Sequence, residues 1–523
     1  MNGETKYATE YHEETKHSEV KLQMFRHYLD WDNKPRAFKV YLDLPSIPLP
    51  RDFPVPSSDA LACIAGARQL PGQVLDVRAL AQLLFFSAGI TREMKFDSGT
   101  YYMRAASATG ALYLIELYVV CQDIGGLQAG VYHFSPGDFS LTQLRSGDFR
   151  PQLAAMAGGN QEILSSPLAL AFTSLAWRNA WKYGDRSYRH WFWDSGVIAA
   201  NLLAVAASAG LQSSLAMGFA DPAVNNLLRL EQGKEATVAL AAIGSPAGAN
   251  PGRPDPGPVA AAASPKTLPT SQVEVEHPQI WKIHRASSLA SSEEAARWLG
   301  AKVDFVKLGD LRRDSLQGTA SLGDVILRRG STRRFSRSTI SLAQMLSILY
   351  SSTRGVPLDF LGKNASSVDV YLVANAVQGL APGRYFYNGQ SGSLDKLASK
   401  SEMASRNESG YLCLGQPLFG DASAVLFVMA DLGAHLKALG NRGYRACQFE
   451  AGVVAGKVYL SAYAHGLGAS GSTFYDDAVT ESFSPHAKDK AAMIAVGVGV
   501  PAYKARPGKV LAATLTRAEL LSQ

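Results

Sequence analysis

A chain of 523 residues is long for one domain, since a domain usually takes roughly 150 residues, and this length excludes a single small binding module. Hydrophobic residues make up 47% and charged residues 18%, which is enough apolar material for large cores and excludes a disordered chain. The formal net charge of +6 comes without a long basic block, too dilute for a footprint on nucleic acid, and no polyanion partner is expected.

The first twenty residues are charged from Glu4 onward and lack the apolar core of a secretory signal. Residues 1–50 read as an N-terminal leader segment. Within it, His12 and His17 stand beside glutamates, but no third or fourth ligand is apparent and no metal is expected. The four cysteines, Cys63, Cys121, Cys413 and Cys447, stand far apart, which fits a reducing compartment, with the cytoplasm expected, and argues against a thiolate zinc site.

Residues 51–245 read as a first domain of mixed α and β. The segments ALAQLLFFSAG and VIAANLLAVAASAG have helical length with glycine at the end, while ELYVV followed by GLQAGVYHF reads as a strand and hairpin. The charge-free run from Ser195 to Ala220 imitates a membrane span, but Asn201, Gln212 and Gly210 interrupt it, and a buried helix followed by a strand is expected. Trp177, Trp181, Trp191 and Trp193 are expected to fill core.

Residues 246–269 hold seven prolines and three glycines in 24 positions, so 246–275 reads as an extended linker. Residues 276–523 repeat the first domain. ELYVVCQDIGGLQAGVYHF from Glu116 matches DVYLVANAVQGLAPGRYFY from Asp369 without gaps at an offset of 253. GDRSYRHWFWDSG from Gly184 matches GNRGYRACQFEAG from Gly440 at an offset of 256, which Gly210 and Gly466 keep. The fold expected is α+β: two tandem domains, each a central antiparallel or mixed sheet flanked by helices.

At the start of the second copy stands Arg328-Arg329-Gly330-Ser331-Thr332-Arg333-Arg334-Phe335, ahead of the helical pattern SLAQMLSILYSS. Guanidiniums with hydroxyls suit a dianionic phosphate, because arginine donates in pairs and a hydroxyl adds a short neutral bond. A solvated basic turn is the other reading that composition allows.

The segment RRGSTRRF resembles the flavin-phosphate motif of the nitroreductase family. RAASATGALYLIELY from Arg104 resembles the flavin-ring loop of its SagB/ThcOx-type azoline dehydrogenases, and KYGDRSYR from Lys182 resembles the segment with their catalytic lysine-tyrosine pair. YHEETKHS from Tyr11 and DWDNKPRAFKVY from Asp30 resemble the leader of the tandem-domain members. The resemblance implies two nitroreductase domains embracing as a pseudo-dimer within one chain, with FMN at the interface. It implies Lys182 and Tyr183 as catalytic residues. Arg329, Ser331 and Arg333, with the basic stretch containing Lys504, Arg506 and Lys509, would hold the phosphate. Ser107, Thr109 and Gly110, with Ser470 and Gly471 of the turn LGASGST, would meet the ring.

The first copy has only Ala67-Arg68-Gln69-Leu70 near the phosphate position, and the second has Ala438-Leu439 in place of the lysine-tyrosine pair. One composite site is therefore expected. Where the family's ring loop commonly carries proline and serine, this chain has Ser107 and Ala108. The implied activity is oxidation of a thiazoline- or oxazoline-type ring in a peptide, with a cyclodehydratase complex as partner. The alternatives are an FMN-dependent oxidoreductase of a free small molecule and a flavin-binding scaffold subunit of a modification complex.

Overall fold

The computed structural model describes residues 5–24, 28–67, 72, 74–96, 99–244, 257–301, 303, 306–310, 316, 318, 320–398, 404–512 and 514–522. Each copy builds one antiparallel sheet. In the first, the order across the sheet is Ser46–Pro48, Ser140–Ser146, Gly130–Ser135, Ile115–Cys121, Leu168–Leu175, Glu235–Ile243 and Ser213–Ala216. In the second it is Ser393–Lys396, Gly383–Asn388, Asp369–Ala374, Ala424–Ala430, Ala491–Gly499 and Gly468–Ser472. Apart from the extra edge strand Ser46–Pro48, the two orders are the same, so the duplication seen in the sequence is a duplication of topology. The runs LALAFTSL and AVLFVMA are buried throughout, as central strands covered on both faces require.

The α+β expectation holds. The charge-free run forms a buried helix, Ser187–Ser208, followed by the strand Ser213–Ala216, and no helix among the described residues is long and apolar enough to cross a membrane. Its counterpart is Arg442–Ala464. These two long helices pack against each other as the spine between the copies. A Cβ on Gly196 would lie 2.5 Å from the Val453 nitrogen, and one on Gly452 would lie 2.8 Å from the Phe192 carbonyl. The two glycines occupy matched positions, and backbone contact this close admits no side chain at either.

Of the proline-rich segment, residues 245–256 lie outside the described part. The remainder is laid along the first copy: Leu42 N donates to Lys266 O at 2.9 Å, Leu268 N to Val40 O at 2.9 Å and Arg36 N to Thr270 O at 2.8 Å. The end of the chain crosses back as well, with Leu515 and Leu520 packed on Phe38, Val40 and Ile90 of the other half.

The copies differ in one element that bears on the site. After the helix Val77–Ala88 the first copy inserts a two-stranded hairpin, Ile90–Phe96 with Gly99–Arg104. The second copy passes from the helix Leu342–Thr353 to residue 365 through turns and a single β-bridge from Leu358 to Leu215, with no hairpin.

Candidate functional site at the interface of the copies

The lysine-tyrosine pair ends a short helix, Ala176–Tyr183, stopped by Gly184 at φ +55°. Arg178 ties this helix to the loop opposite by donating to Tyr113 O at 2.9 Å and to Glu116 Oε1 at 2.5 Å. Burial alone would raise Glu116, but Arg178 and His133 hold its carboxyl down at about 2, so the anchor is ionic at any ordinary pH.

The loop after the hairpin carries Ser107, Ala108, Thr109 and Gly110. Its backbone is left-handed at Gly110 (φ +66°), Ala111 (φ +55°) and Tyr113 (φ +50°), a conformation that a non-glycine residue adopts only when its surroundings enforce it. Asp194, from the long helix, enforces it. Its carboxylate accepts from Thr109 N at 2.9 and 3.0 Å and from Thr109 Oγ1 at 2.7 Å. Burial pushes Asp194 up to about 7, with the bonds from Thr109 pulling the other way. A second line runs from Thr109 O to Asn179 Nδ2 at 3.4 Å and from Asn179 Oδ1 to His190 Nδ1 at 2.7 Å, and the His190 ring stands edge-on to Tyr183 at 4.8 Å. Gly110 completes the circuit: a Cβ there would lie 2.7 Å from the Tyr183 hydroxyl. The bare glycine makes room for the phenol.

The second copy brings its arginines to this place. Arg329 donates through Nε to Ala105 O at 2.8 Å and through Nη2 to Arg104 O at 2.6 Å, clamping the base of the first copy's loop. Arg333 acts on both members of the pair. Burial and then the Arg333 cation lower Lys182, whereas burial and the Asp194 carboxylate raise Tyr183, with Arg333 opposing. Lys182 is thereby moved toward its neutral form and Tyr183 kept a phenol, so of the two only the lysine is brought closer to acting as a base near neutral pH.

Ser331 Oγ lies 3.4 Å from Tyr459 Oη, and that hydroxyl also accepts from Gly471 N, so one tyrosine joins the RRGST segment to the glycine-rich turn. Ser470 is buried beside it in the strand Gly468–Ser472. Ser107 lines a small cavity with Arg104, Ala106, Ala108, Tyr113 and Asp194. Lys504 and Arg506 are exposed, and their stretch is tied to the motif by the Tyr503 hydroxyl, which accepts from Arg333 N at 3.1 Å, and by Ala502 N, which donates to Arg334 O at 2.9 Å. Among the described residues no group of three or more His, Cys, Asp or Glu is arranged to hold a metal ion.

Sequence reasoning passed over Asp194, Asn179 and His190. The signal for Asp194 was present: it is the one acid in its helix, and the matched segments align it with Glu450.

On the opposite side of the pseudo-dimer the same positions close on themselves. Glu450 accepts from Ser366 Oγ at 2.7 Å, from Ser367 N at 3.1 Å and from the Ser367 hydroxyl, which also meets His435 Nε2 at 2.8 Å. Lys457 is fully buried and donates to Arg354 O at 2.5 Å and Gly355 O at 2.7 Å. There a Cβ on Gly66 would stand 3.0 Å from Gly355 Cα, so the two backbones are in contact. Arg68 lies outside the described residues.

The nitroreductase family model matches the chain twice, over residues 72–245 and 326–500, more than half of its length. The chain belongs to the nitroreductase family. A crystal structure of a provisionally named nitroreductase from Anabaena variabilis ATCC 29413 superposes on it with a TM-score of 0.74 at 26% identity, covering 95% of this chain and 99% of that one. The trifolitoxin-processing protein TfxB of Rhizobium leguminosarum bv. trifolii is 30% identical over 198 residues, 36% of this chain and 52% of that protein. The microcin B17-processing protein McbC of Escherichia coli is 29% identical over 128 residues, 24% of this chain and 47% of that protein. The chain thus spans about half the length of these two relatives. Members of this family are, in general, oxidoreductases.

Proposed function

We propose that this chain is an FMN-dependent oxidoreductase of the SagB/ThcOx type that removes two hydrogens from a thiazoline- or oxazoline-type ring in a peptide. The observation that carries the reading is that Tyr183 packs against Gly110 of the loop, where a Cβ would lie 2.7 Å from its hydroxyl, while Arg329 of the second copy clamps the same loop through Ala105 O at 2.8 Å and Arg104 O at 2.6 Å. Support also comes from the two relatives, each named as a processing protein, one for trifolitoxin and one for microcin B17.

The residues present fit FMN. Gly471 offers backbone without a side chain, as close approach to a flat ring needs. Ser331, Arg329 and Arg333 supply a hydroxyl and guanidiniums suited to a phosphate. In this reading those three, with Lys504 and Arg506, hold the phosphate side, while Ser107, Thr109, Gly110, Ser470 and Gly471 border the ring. FMN, when bound, supplies a two-electron acceptor.

The chain's own groups do the rest. Lys182, in its neutral form, takes the proton from the ring carbon at its Nζ. Tyr183 stays protonated and presents its O–H to the substrate, held in place by Gly110 and the His190 ring. Asp194 keeps the loop in its strained shape, so the acceptor side and the base are fixed relative to each other before substrate arrives. A substrate of this kind must first be cyclised, so the implied partner is a cyclodehydratase that acts on the same peptide.

Incubating the purified chain with an azoline-containing peptide tests the reading by mass spectrometry. Loss of two hydrogens from the ring is expected. Oxidation of free small molecules with the peptide left intact would replace it by the small-molecule reading.

A further inference from the structure

The hairpin that only the first copy has carries Arg92, and Arg92 reaches across to the second copy. Its Nη2 donates to Arg328 O at 2.8 Å and Leu327 O at 3.3 Å, at the end of the helix Leu322–Arg328. A Cβ on Gly330, in the middle of the RRGST segment, would lie 3.1 Å from Arg92 Nη1 and 3.6 Å from the Tyr463 hydroxyl. Arg92 Nε is buried without a hydrogen-bond partner. The C-terminal stretch closes the same corner, since Gly508 N donates to Leu327 O at 2.7 Å and Lys509 N to Thr91 O at 2.8 Å.

The charged group that bears most on Arg92 is a second cation. Burial and then the facing Arg329 cation push Arg92 down, and the other groups that bear most on it are Tyr463, Tyr503 and Tyr113, none of them a carboxylate. Two guanidiniums drawn together in a half-buried corner repel each other, and an anion between them would relieve the repulsion and fill the orphaned donor. Arg329 has spent its Nε and Nη2 on the carbonyls of Arg104 and Ala105. Arg92 keeps its unpartnered Nε for a ligand.

We propose that Arg92, on the first copy's hairpin, is a phosphate-binding residue of the composite site, giving it a preference for a phosphorylated flavin over the same flavin without phosphate. The proposal rests on the FMN reading above. It adds that the phosphate is gripped from both copies, and that the mirror-related side, which has no hairpin, lacks this donor.

Flavin-stripped full-length chain titrated separately with FMN and with riboflavin, followed by flavin fluorescence, tests it. For Arg92→Met, FMN affinity is expected to fall about 10- to 100-fold, the range of one charge-assisted bond, with riboflavin affinity unchanged. Arg92→Lys, which keeps the cation and loses the fork, is expected to fall between that variant and wild type. Equal losses for both flavins would make Arg92 only a cap on the helix end and overturn the proposal. Wild-type preference for FMN that survives both substitutions overturns it and leaves the FMN reading standing. A wild-type chain that binds FMN no better than riboflavin overturns both.

Discussion

Arg189 of the first copy donates to Asp476 of the second at 2.7 Å, with both side chains buried. The relation is repeated in reverse, because Arg445 of the second copy donates to Asp221 of the first at 2.5 Å. Arg186 and Arg442 add a second guanidinium to each carboxylate, at 3.0 and 2.6 Å. Each aspartate is also held by a short N-terminal element: His17 N donates to Asp476 at 2.8 Å and Leu289 N to Asp221 at 2.9 Å. These two triads stitch the pseudo-dimer together.

Removing one carboxylate leaves two buried cations unpaired. Asp476→Asn and Asp221→Asn are each expected to destabilise the chain by about 3–5 kcal/mol, the range for breaking a buried pair. Asp52→Asn, which breaks an exposed pair with Arg78, should cost less than about 1 kcal/mol. Denaturant melts compare the three, and equal small effects would show that the triads do not hold the copies together.

The same carboxylates set the acid limit. Burial raises Asp221, but Arg442 and Arg445 hold it at about 2 against an ordinary 3.8, and Asp476 is likewise held low by Arg186 and Arg189. A group whose folded pKa is depressed contributes stability that is fully present above the ordinary value and is lost as pH falls through the folded one. Stability from Asp221 should therefore decline between about pH 4 and pH 2, and Asp221→Asn should flatten that part of a melt-versus-pH curve.

Lys182→Ala and Tyr183→Phe are expected to keep bound flavin and its visible spectrum while losing most turnover. Substitutions at Ala438 and Leu439, the matched positions in the second copy, should leave turnover intact. Because Arg333 helps to lower Lys182, and Lys182 acts in its neutral form, Arg333→Gln should move the rising, acidic limb of the pH–rate profile to higher pH. An unmoved limb would mean that Lys182 is not the titrating base.

Gly110→Ala meets two costs, a left-handed backbone at φ +66° and a Cβ 2.7 Å from the Tyr183 hydroxyl. Gly159→Ala bears the first alone, since φ there is +83° and nothing lies within 4 Å. Both should lose stability on the order of 1 kcal/mol, but only Gly110→Ala should lose turnover, because only it displaces the phenol. Equal turnover in both variants would remove Gly110 from the placement of Tyr183.

The duplication was legible because long ungapped matches at offsets of 253 and 256 carry it. The triads were not, although their arginines lie inside one of those matches. Their third partner hides a further repeat. The leader helix Lys6–Glu14 and the helix Pro278–Ala286 correspond at an offset of 272, with Arg189 donating to His12 O at 2.9 Å and Arg445 to His284 O at 2.6 Å. Only His12 and His284 are alike there, and the contacts run through backbone carbonyls, which any residue supplies. The leader is thus half of a second pair. Asp194 was missed for a related reason, since a lone acid in a helix gives no sign of the loop amide it caps.

One composite site per chain is proposed, because on the other side Glu450, Ser367 and His435 bond to one another, the Lys457 ammonium is held by the carbonyls of Arg354 and Gly355, and Gly66 approaches Gly355. The most direct measurement is the amount of FMN released on denaturing the saturated chain, quantified against protein. One FMN per chain is predicted, and a ratio approaching two would contradict the account.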